Sequence, residues 1–449
     1  MSKTFSVITL GCKVNRYESD SIASELAANG LIEARRGEPP DFIVVNTCTV
    51  TGRAGQQSRQ AVRAAIRANP RAVVIATGCH AQTDPDSLSG IENLCAVCGN
   101  SHKDKIAALA QGILASGAIP PQALVFRDPI EDGRKPGSPE RPVTGLRSRP
   151  VLRIQDGCNQ WCSYCTVPRA RGKSRSMDPE AVARHLSGLS ESGSCEAVLT
   201  GIHIGAWGLD LDPASCLTRL LTGLSEMPGL PRLRISSLEP NELTPGILGL
   251  ARKGFLCPHF HLPLQSGDDG ILKLMGRPYT SAQYADIVRG INEALPFAAV
   301  GADVMVGFPG ESEEAFRNSL ELVETLPLAY LHVFPFSPRE GTAAFSMPGR
   351  IEPWVMKERT AALREISGKK RAAFHASLTG KSAVICVEGP SSAPSIWKGL
   401  TENYVSVEFE SISPLRPGSL VKGRIAPGPA EGPVRAVLEP PPPEPEVAV

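Results

Sequence analysis

Residues 156–165 read Asp156-Gly157-Cys158-Asn159-Gln160-Trp161-Cys162-Ser163-Tyr164-Cys165, with three cysteines at C-x3-C-x2-C spacing. Thiolates are soft ligands that suit zinc or iron–sulfur clusters. A closed structural zinc site needs four protein ligands. A cubane cluster has four irons, so three cysteines leave one iron open to a small molecule. Three readings follow: an open-iron cluster, a zinc knuckle completed by a remote fourth ligand, or chance clustering. In the first two, the fold must bring three thiolates to one point.

The chain has 449 residues, too many for a single core, so two to four domains are expected. Residues 1–128 alternate apolar strands with helical stretches. Phe5–Leu10, Phe42–Asn46 and Ala72–Thr77 read as strands, and roughly Tyr17–Asn29 and Ala54–Ala68 as helices. That alternation predicts an α/β fold with a doubly wound parallel sheet. Continuous Val/Ile runs suit strands buried on both faces. Cys12, Cys48 and Cys79 each follow one of these strands. Ligands of open α/β sheets bind beyond the carboxyl ends of the strands, so these three thiols can converge. Any one of them alone would read as a small buried hydrophobe. Cys95 and Cys98 form a C-x2-C pair, but the local pattern is a fourth buried strand ending at Gly99-Asn100. Cys195, Cys216, Cys257 and Cys386 are isolated and read as core or incidental residues.

Residues 129–148 are polar and rich in Pro and Gly, and are expected to be an exposed linker. From 149 to 378, strands are expected at Pro150–Gln155, Glu196–Gly201, Arg232–Ser236, His259–Leu264, Ala298–Val306 and Tyr330–Phe336, with helices between. Six β/α units predict a partial TIM-type (β/α)6 barrel, whose chemistry sits at the C-terminal strand ends. The three-cysteine stretch directly follows the first of those strands. Trp354–Leu378 reads as a long charged helix. Residues 379–438 switch to short strands with Gly/Pro turns, which predicts a small β-barrel. The tail, 439–449, cannot form a core and is expected to be disordered.

Charge is balanced, with 47 Lys+Arg against 46 Asp+Glu, so a nucleic-acid surface has to be local. Arg59, Arg63 and Arg67 share one helix face, and no Asp or Glu occurs between Thr51 and Thr83. Such a stripe binds phosphates or is a solvated face. Arg169, Arg171, Lys173 and Arg175 follow the cysteine stretch and would fix a carboxylate or an RNA phosphate, or pair within the barrel. No apolar run approaches a membrane span. The N-terminus begins a strand and lacks a charged-then-apolar leader. A reducing, cytoplasmic setting is therefore expected for the twelve cysteines, where metal or catalytic roles prevail over disulfides.

The C-x3-C-x2-C stretch is similar to that of radical S-adenosylmethionine enzymes. Thr9-Leu10-Gly11-Cys12-Lys13-Val14-Asn15, Asn46-Thr47-Cys48-Thr49-Val50-Thr51, Thr77-Gly78-Cys79-His80-Ala81-Gln82 and His261-Leu262-Pro263-Leu264-Gln265-Ser266-Gly267 resemble the methylthiotransferases within that class. The resemblance implies a radical-generating 4Fe–4S cluster on Cys158, Cys162 and Cys165, whose free iron chelates S-adenosylmethionine. It implies a second 4Fe–4S cluster on Cys12, Cys48 and Cys79 that carries the sulfur to be transferred. Ser237, Glu239 and Gln265 become candidates for holding S-adenosylmethionine. The implied partners are tRNA, an electron donor of the flavodoxin or ferredoxin type, and a sulfur donor. Gly11-Cys12-Lys13-Val14-Asn15 looks like the subgroup acting on N6-threonylcarbamoyladenosine beside the anticodon. Other subgroups act on another tRNA adenosine or on a ribosomal protein aspartate. Gly399–Tyr404 and its position resemble the RNA-binding TRAM domain. A reading from another class also stands: a non-catalytic RNA-binding protein with structural zinc at both cysteine sets.

Overall fold

The computed structural model describes residues 3–35, 37–116, 120–130, 147–391, 393, 395–427 and 433–440. Most of the expected linker and nearly all of the expected tail lie outside the described residues.

The first sheet is parallel throughout, in the order Ile32–Glu33, Thr4–Thr9, Phe42–Thr47, Val73–Gly78, Ala96–Cys98, Leu124–Phe126. Phe42–Thr47 and Val73–Gly78 are buried at every position. Apolar layers cover both faces: Ile22, Leu26, Ile106 and Ala110 on one side, Val62, Ala65 and Leu88 on the other. This is why these strands are apolar runs rather than alternating ones. The winding direction reverses between Thr4–Thr9 and Phe42–Thr47, and a ligand crevice opens at such a switch point. Cys12 and Cys48 follow those two strands. The first helix, Lys13–Ala28, starts four residues earlier than the apolar period implies. Asn15 explains this: its Nδ2 donates to Leu10 O at 2.8 Å and Thr47 O at 2.9 Å, anchoring a polar first turn.

The central domain has six parallel strands in two neighbouring sheets. Val151–Arg153, Glu196–Thr200 and Arg232–Ile235 form one; His259–His261, Ala299–Val306 and Tyr330–Pro335 form the other. Leu238 N–H donates to His261 O at 3.0 Å across the join. Leu152, Leu199, Leu233, Phe260, Val300 and Val304 pack outward against Leu186, Leu220, Val288 and Val323 of the helices. By strand alternation, His259, His261 and Asp303 face the lumen. The first expected strand splits. Val151–Arg153 stays in the barrel, whereas Gln155–Asp156 pairs antiparallel with Arg175–Ser176 and closes the cysteine loop at its base. Gly157, at φ +72°, permits this, because a side chain there would overlap the Lys173 carbonyl.

The C-terminal barrel is closed by five strands, in the order Ser382–Pro390, Ile396–Thr401, Ser406–Glu410, Val434–Leu438, Leu420–Ile425. Ile396–Thr401 and Val434–Leu438 complete the barrel. Gly399 breaks the apolar pattern of the first, because its missing side chain makes room for Ile385 and the Cys386 carbonyl.

The first domain is bolted onto the barrel by buried ions. Arg171 Nη1 donates to Glu18 Oε1 and Asp156 Oδ1, both at 2.9 Å, and its Nη2 donates to Asn15 Oδ1 at 2.8 Å. Arg153 Nη1 donates to Glu18 Oε1 at 2.9 Å, Lys103 pairs with Glu18 Oε2, and Arg175 reaches Asp156 Oδ2 at 3.3 Å. A second contact closes the far side, where Gly52 N–H donates to Ser337 Oγ at 2.9 Å and Arg339 bonds Thr49. One expectation is corrected here. Arg171 is 1% exposed, so it cannot lie on an RNA-binding surface; its guanidinium is consumed by the carboxylates of both domains.

Burial pushes the Glu18 carboxyl up, but Arg171, Lys103 and Arg153 override it and hold it well below the usual carboxylate range. A depressed folded pKa contributes stability that is present above the unfolded value of about 4.3 and lost as pH falls below it. Glu18→Gln should cost ~3–5 kcal/mol, because it leaves buried cations uncompensated. It should also flatten the acid-side loss of stability below about pH 5. Denaturant midpoints of both proteins, taken from neutral to acid pH, check this; equal midpoints would mean the network contributes nothing net.

Candidate metal centres

Three strand ends of the first sheet meet through two glycines. Gly11 has φ +92°, and a Cβ there would lie 2.6 Å from Cys48 Sγ. Gly78 has φ +100° and leaves room for the Thr47 backbone. Asn15 Oδ1 lies 4.0 Å from both Cys12 Sγ and Cys79 Sγ. Asn100 Nδ2 donates to Cys79 Sγ at 3.6 Å and to Ala170 O at 2.8 Å in the barrel domain. All three thiols are free. Burial pushes the Cys48 thiol up to about 11, and the neighbouring Cys79 and Cys12 add to the rise. Three sulfurs gathered at one point, with burial opposing charge on Cys48, fit a metal group that compensates thiolate charge.

The second centre lies at the mouth of the barrel. Cys158 Sγ accepts from Gln160 N–H at 3.3 Å, and Cys165 Sγ from Val167 N–H at 3.4 Å. Cys162 Sγ accepts from Arg277 Nη1 at 3.4 Å. Each sulfur thus has an N–H donor, the kind of bond that tunes ligating thiolates. Burial raises the Cys162 thiol against the lowering influence of Arg277. His203 Nδ1 lies 3.8 Å from Cys158 Sγ, and its Nε2 lies 2.6 Å from Glu242 Oε1. Burial opposes charge on this imidazole, yet bonds to Cys158 and Glu242 push it up to about 10.

The candidates for S-adenosylmethionine are spread around this mouth. Glu239 pairs with Arg277, the arginine on Cys162, although burial still raises its carboxyl. Gln265 is buried in the left-handed region at φ +66°, and its Oε1 has no hydrogen-bond partner among the described residues. Ser237 Oγ is 2.7 Å from His261 Nδ1, so it faces deeper into the lumen.

The remaining cations separate into two groups. Arg63 and Arg67 are exposed on helix Gly52–Ala68, while Arg59 is half-buried with Nη1 3.4 Å from His80 Nε2. Arg169 and Lys173 are exposed, and Arg169 donates to Glu340 O at 2.7 Å. Cys95 and Cys98 are wholly buried in the core of the first sheet.

The two centres are joined by a short chain of contacts. Asn15 stands between Cys12 and Cys79, Arg171 bonds Asn15 and Asp156, and Asp156 Oδ1 accepts from Gly157 N–H at 2.9 Å, next to Cys158. Asn15, Asn100, Glu242 and Arg277 are not among the site residues expected from the sequence. Only Asn15 carried a local signal, three residues after Cys12 and hence on the same helix face.

Residues 4–99 match a family model described as uncharacterized protein family UPF0004, and residues 152–323 match the radical SAM superfamily. A protein of Aquifex aeolicus named threonylcarbamoyladenosine tRNA methylthiotransferase MtaB is 35% identical, over 92% of this chain and 98% of its own length. The protein of the same name from Bacillus subtilis is 35% identical over 94% and 93%. A tRNA-2-methylthio-N(6)-dimethylallyladenosine synthase of Moorella thermoacetica is 30% identical over 94% and 96%. The solved radical S-adenosylmethionine methyltransferase TsrM of Kitasatospora setae shares the fold, with a TM-score of 0.54 and 17% identity over 77% of each chain. No helix among the described residues is long and apolar enough to cross a membrane. With 35% identity along 98% of a methylthiotransferase, and a radical SAM domain behind the first sheet, this chain belongs to the radical S-adenosylmethionine methylthiotransferase family of enzymes.

Proposed function

We propose that this enzyme methylthiolates tRNA at C2 of N6-threonylcarbamoyladenosine beside the anticodon, using S-adenosylmethionine and two 4Fe–4S clusters. The observation that carries the reading is the pair of three-cysteine sets bridged by Asn15, Arg171 and Asp156. Relatives named threonylcarbamoyladenosine tRNA methylthiotransferase, at 35% identity, support the substrate. The relative named for dimethylallyladenosine, at 30%, supports a second reading in which another tRNA adenosine is the target.

An aromatic C–H bond is far too weak an acid for any side-chain base, which is why radical chemistry is needed. The bound groups supply reductive cleavage of S-adenosylmethionine at one cluster and storage of the transferable sulfur at the other. The residues of the chain supply position. Cys158, Cys162 and Cys165 hold the first cluster, and Cys12, Cys48 and Cys79 the second. Arg277 donates to Cys162 Sγ and fixes Glu239, while Gln265 Oε1 offers a free acceptor to a polar ligand such as S-adenosylmethionine. Ser237 would act from deeper in the lumen. The first domain packs against the mouth of the barrel through Glu18, Thr49 and Gly52. Residues 1–128, 149–378 and 379–438 are proposed as the sulfur-carrying, radical-generating and TRAM-like RNA-binding domains. Arg59, Arg63, Arg67, Arg169 and Lys173 are the proposed phosphate contacts. A flavodoxin- or ferredoxin-type electron donor, a sulfur donor and a cytoplasmic setting complete the proposal.

Anaerobically prepared protein should hold about eight irons per chain; colourless protein with stoichiometric zinc would remove the enzyme reading of both sites. Cys162→Ala should abolish S-adenosylmethionine cleavage. Cys48→Ala should retain cleavage and lose methylthiolation, and intact product formation in that variant would refute the second cluster. Combined Arg59→Ala, Arg63→Ala and Arg67→Ala should weaken tRNA binding and reduce its log–log salt slope by about 2–3; an unchanged slope makes the stripe a solvated face. Mass spectrometry of tRNA nucleosides from cells lacking the protein should show loss of the 2-methylthio derivative of N6-threonylcarbamoyladenosine. Loss of the dimethylallyl derivative instead would establish the second reading.

A further inference from the structure

The lumen of the central barrel carries a polar group that neither cysteine centre uses. Asp303 and His332 are register partners on neighbouring strands, and His261 is the partner of Gly301, two residues before Asp303. Parallel pairing and a period of two put all three side chains on one face. His261 Nε2 stands 3.3 Å, and His332 Nδ1 3.4 Å, from the same oxygen, Asp303 Oδ1. One ligand atom from each residue lies within 4.8 Å of the others.

These separations are too long for charge-assisted hydrogen bonds, which run at about 2.7–2.9 Å. They match the spacing of two donors that share one ion at about 2.0–2.2 Å, which stand roughly 3.0–3.5 Å apart. His261 is 9% exposed, and its Nε2 has no hydrogen-bond partner among the described residues. Its other nitrogen, Nδ1, is 2.7 Å from Ser237 Oγ. The Ser237 hydroxyl holds the ring through Nδ1 and leaves Nε2 directed at Asp303 Oδ1, where the two atoms can share one ion. A ligating histidine is commonly oriented in just this way, through its second nitrogen. The Asp303 carbonyl accepts from Leu264 N–H at 3.1 Å and Gln265 N–H at 2.8 Å, which fixes the strand beneath it.

We propose that His261, Asp303 and His332 form a binding site for a divalent first-row metal ion, with Ser237 orienting His261. Two imidazoles and one carboxylate suit Mn2+, Fe2+ or Zn2+ and leave coordination positions open. The His332 side chain is 59% exposed, so those positions face the lumen and are available to oxygen donors of a molecule held there. The site does not depend on the identity of the tRNA nucleoside.

Mn2+ is the probe, because it prefers nitrogen and oxygen donors and competes poorly for cysteine sulfur. Anaerobic enzyme with its cysteine sites loaded is titrated with Mn2+, and the free ion is counted by electron paramagnetic resonance. About one Mn2+ should bind per chain. His332→Ala and Asp303→Asn should each weaken binding at least tenfold, and Ser237→Ala about tenfold as an outer-sphere change. His332 is mostly exposed, so its variant should fold, and unchanged iron content verifies this. Absence of saturable Mn2+ binding up to about 1 mM, or binding unaltered by His332→Ala, would overturn the site.

Discussion

The structure turns on the guanidinium of Arg171. It is withdrawn from water on the short helix after the cysteine loop, yet its charge is kept because Cys79, Glu18 and Asp156 outweigh the cost of burial. Around it, four cations (Arg153, Arg171, Arg175 and Lys103) contact two carboxylates (Glu18 and Asp156). Salt bridges alone therefore leave positive charge unspent in a dry junction. Three cysteine sulfurs lie on either side of it. Thiolates at the two centres would draw on that charge, which would couple the junction to both. A buried network of this kind is a poor source of net stability, and its value here lies in fixing how the two domains meet.

The same logic recurs at the other end of the barrel. Glu196 is fully buried between Arg232 and Arg234, and Arg234 reaches on to the carbonyls of Glu402 at 3.0 Å and Thr401 at 3.1 Å. Tyr404, at φ +68°, stacks on His259 with ring centroids 4.1 Å apart. Charged and aromatic contacts together dock the C-terminal barrel, among them Arg149 with Glu388 at 2.6 Å and Asn403 Nδ2 donating to Phe297 O at 3.1 Å. The central barrel is held between two domains by arginines whose partners come from both sides of each seam.

Much of this was legible in the chain. Strands such as Phe42–Thr47 and Val73–Gly78 declare themselves, because burial on both faces demands unbroken apolar runs. The cysteines declare themselves through spacing and through position after strands. Arg171 did not: in sequence it belongs to a basic run with Arg169 and Lys173, and nothing local separates the buried member from the exposed ones. Gly399 interrupts an apolar strand for a related reason, since the contact that requires a glycine there comes from a neighbouring strand.

The sequence by itself determined the ligand types, their spacing, the α/β alternation and the strand ends on which they sit, because these are properties of neighbours along the chain. Only the tertiary structure decided which charges face which. Arg171 closes on Glu18, 153 positions earlier, and Arg277 reaches Cys162 across 115 positions. His261, Asp303 and His332 come together because three strands pair in register. Coulomb and hydrogen-bond energies depend on distance and on local dielectric, and neither exists for a pair of residues until the chain has folded.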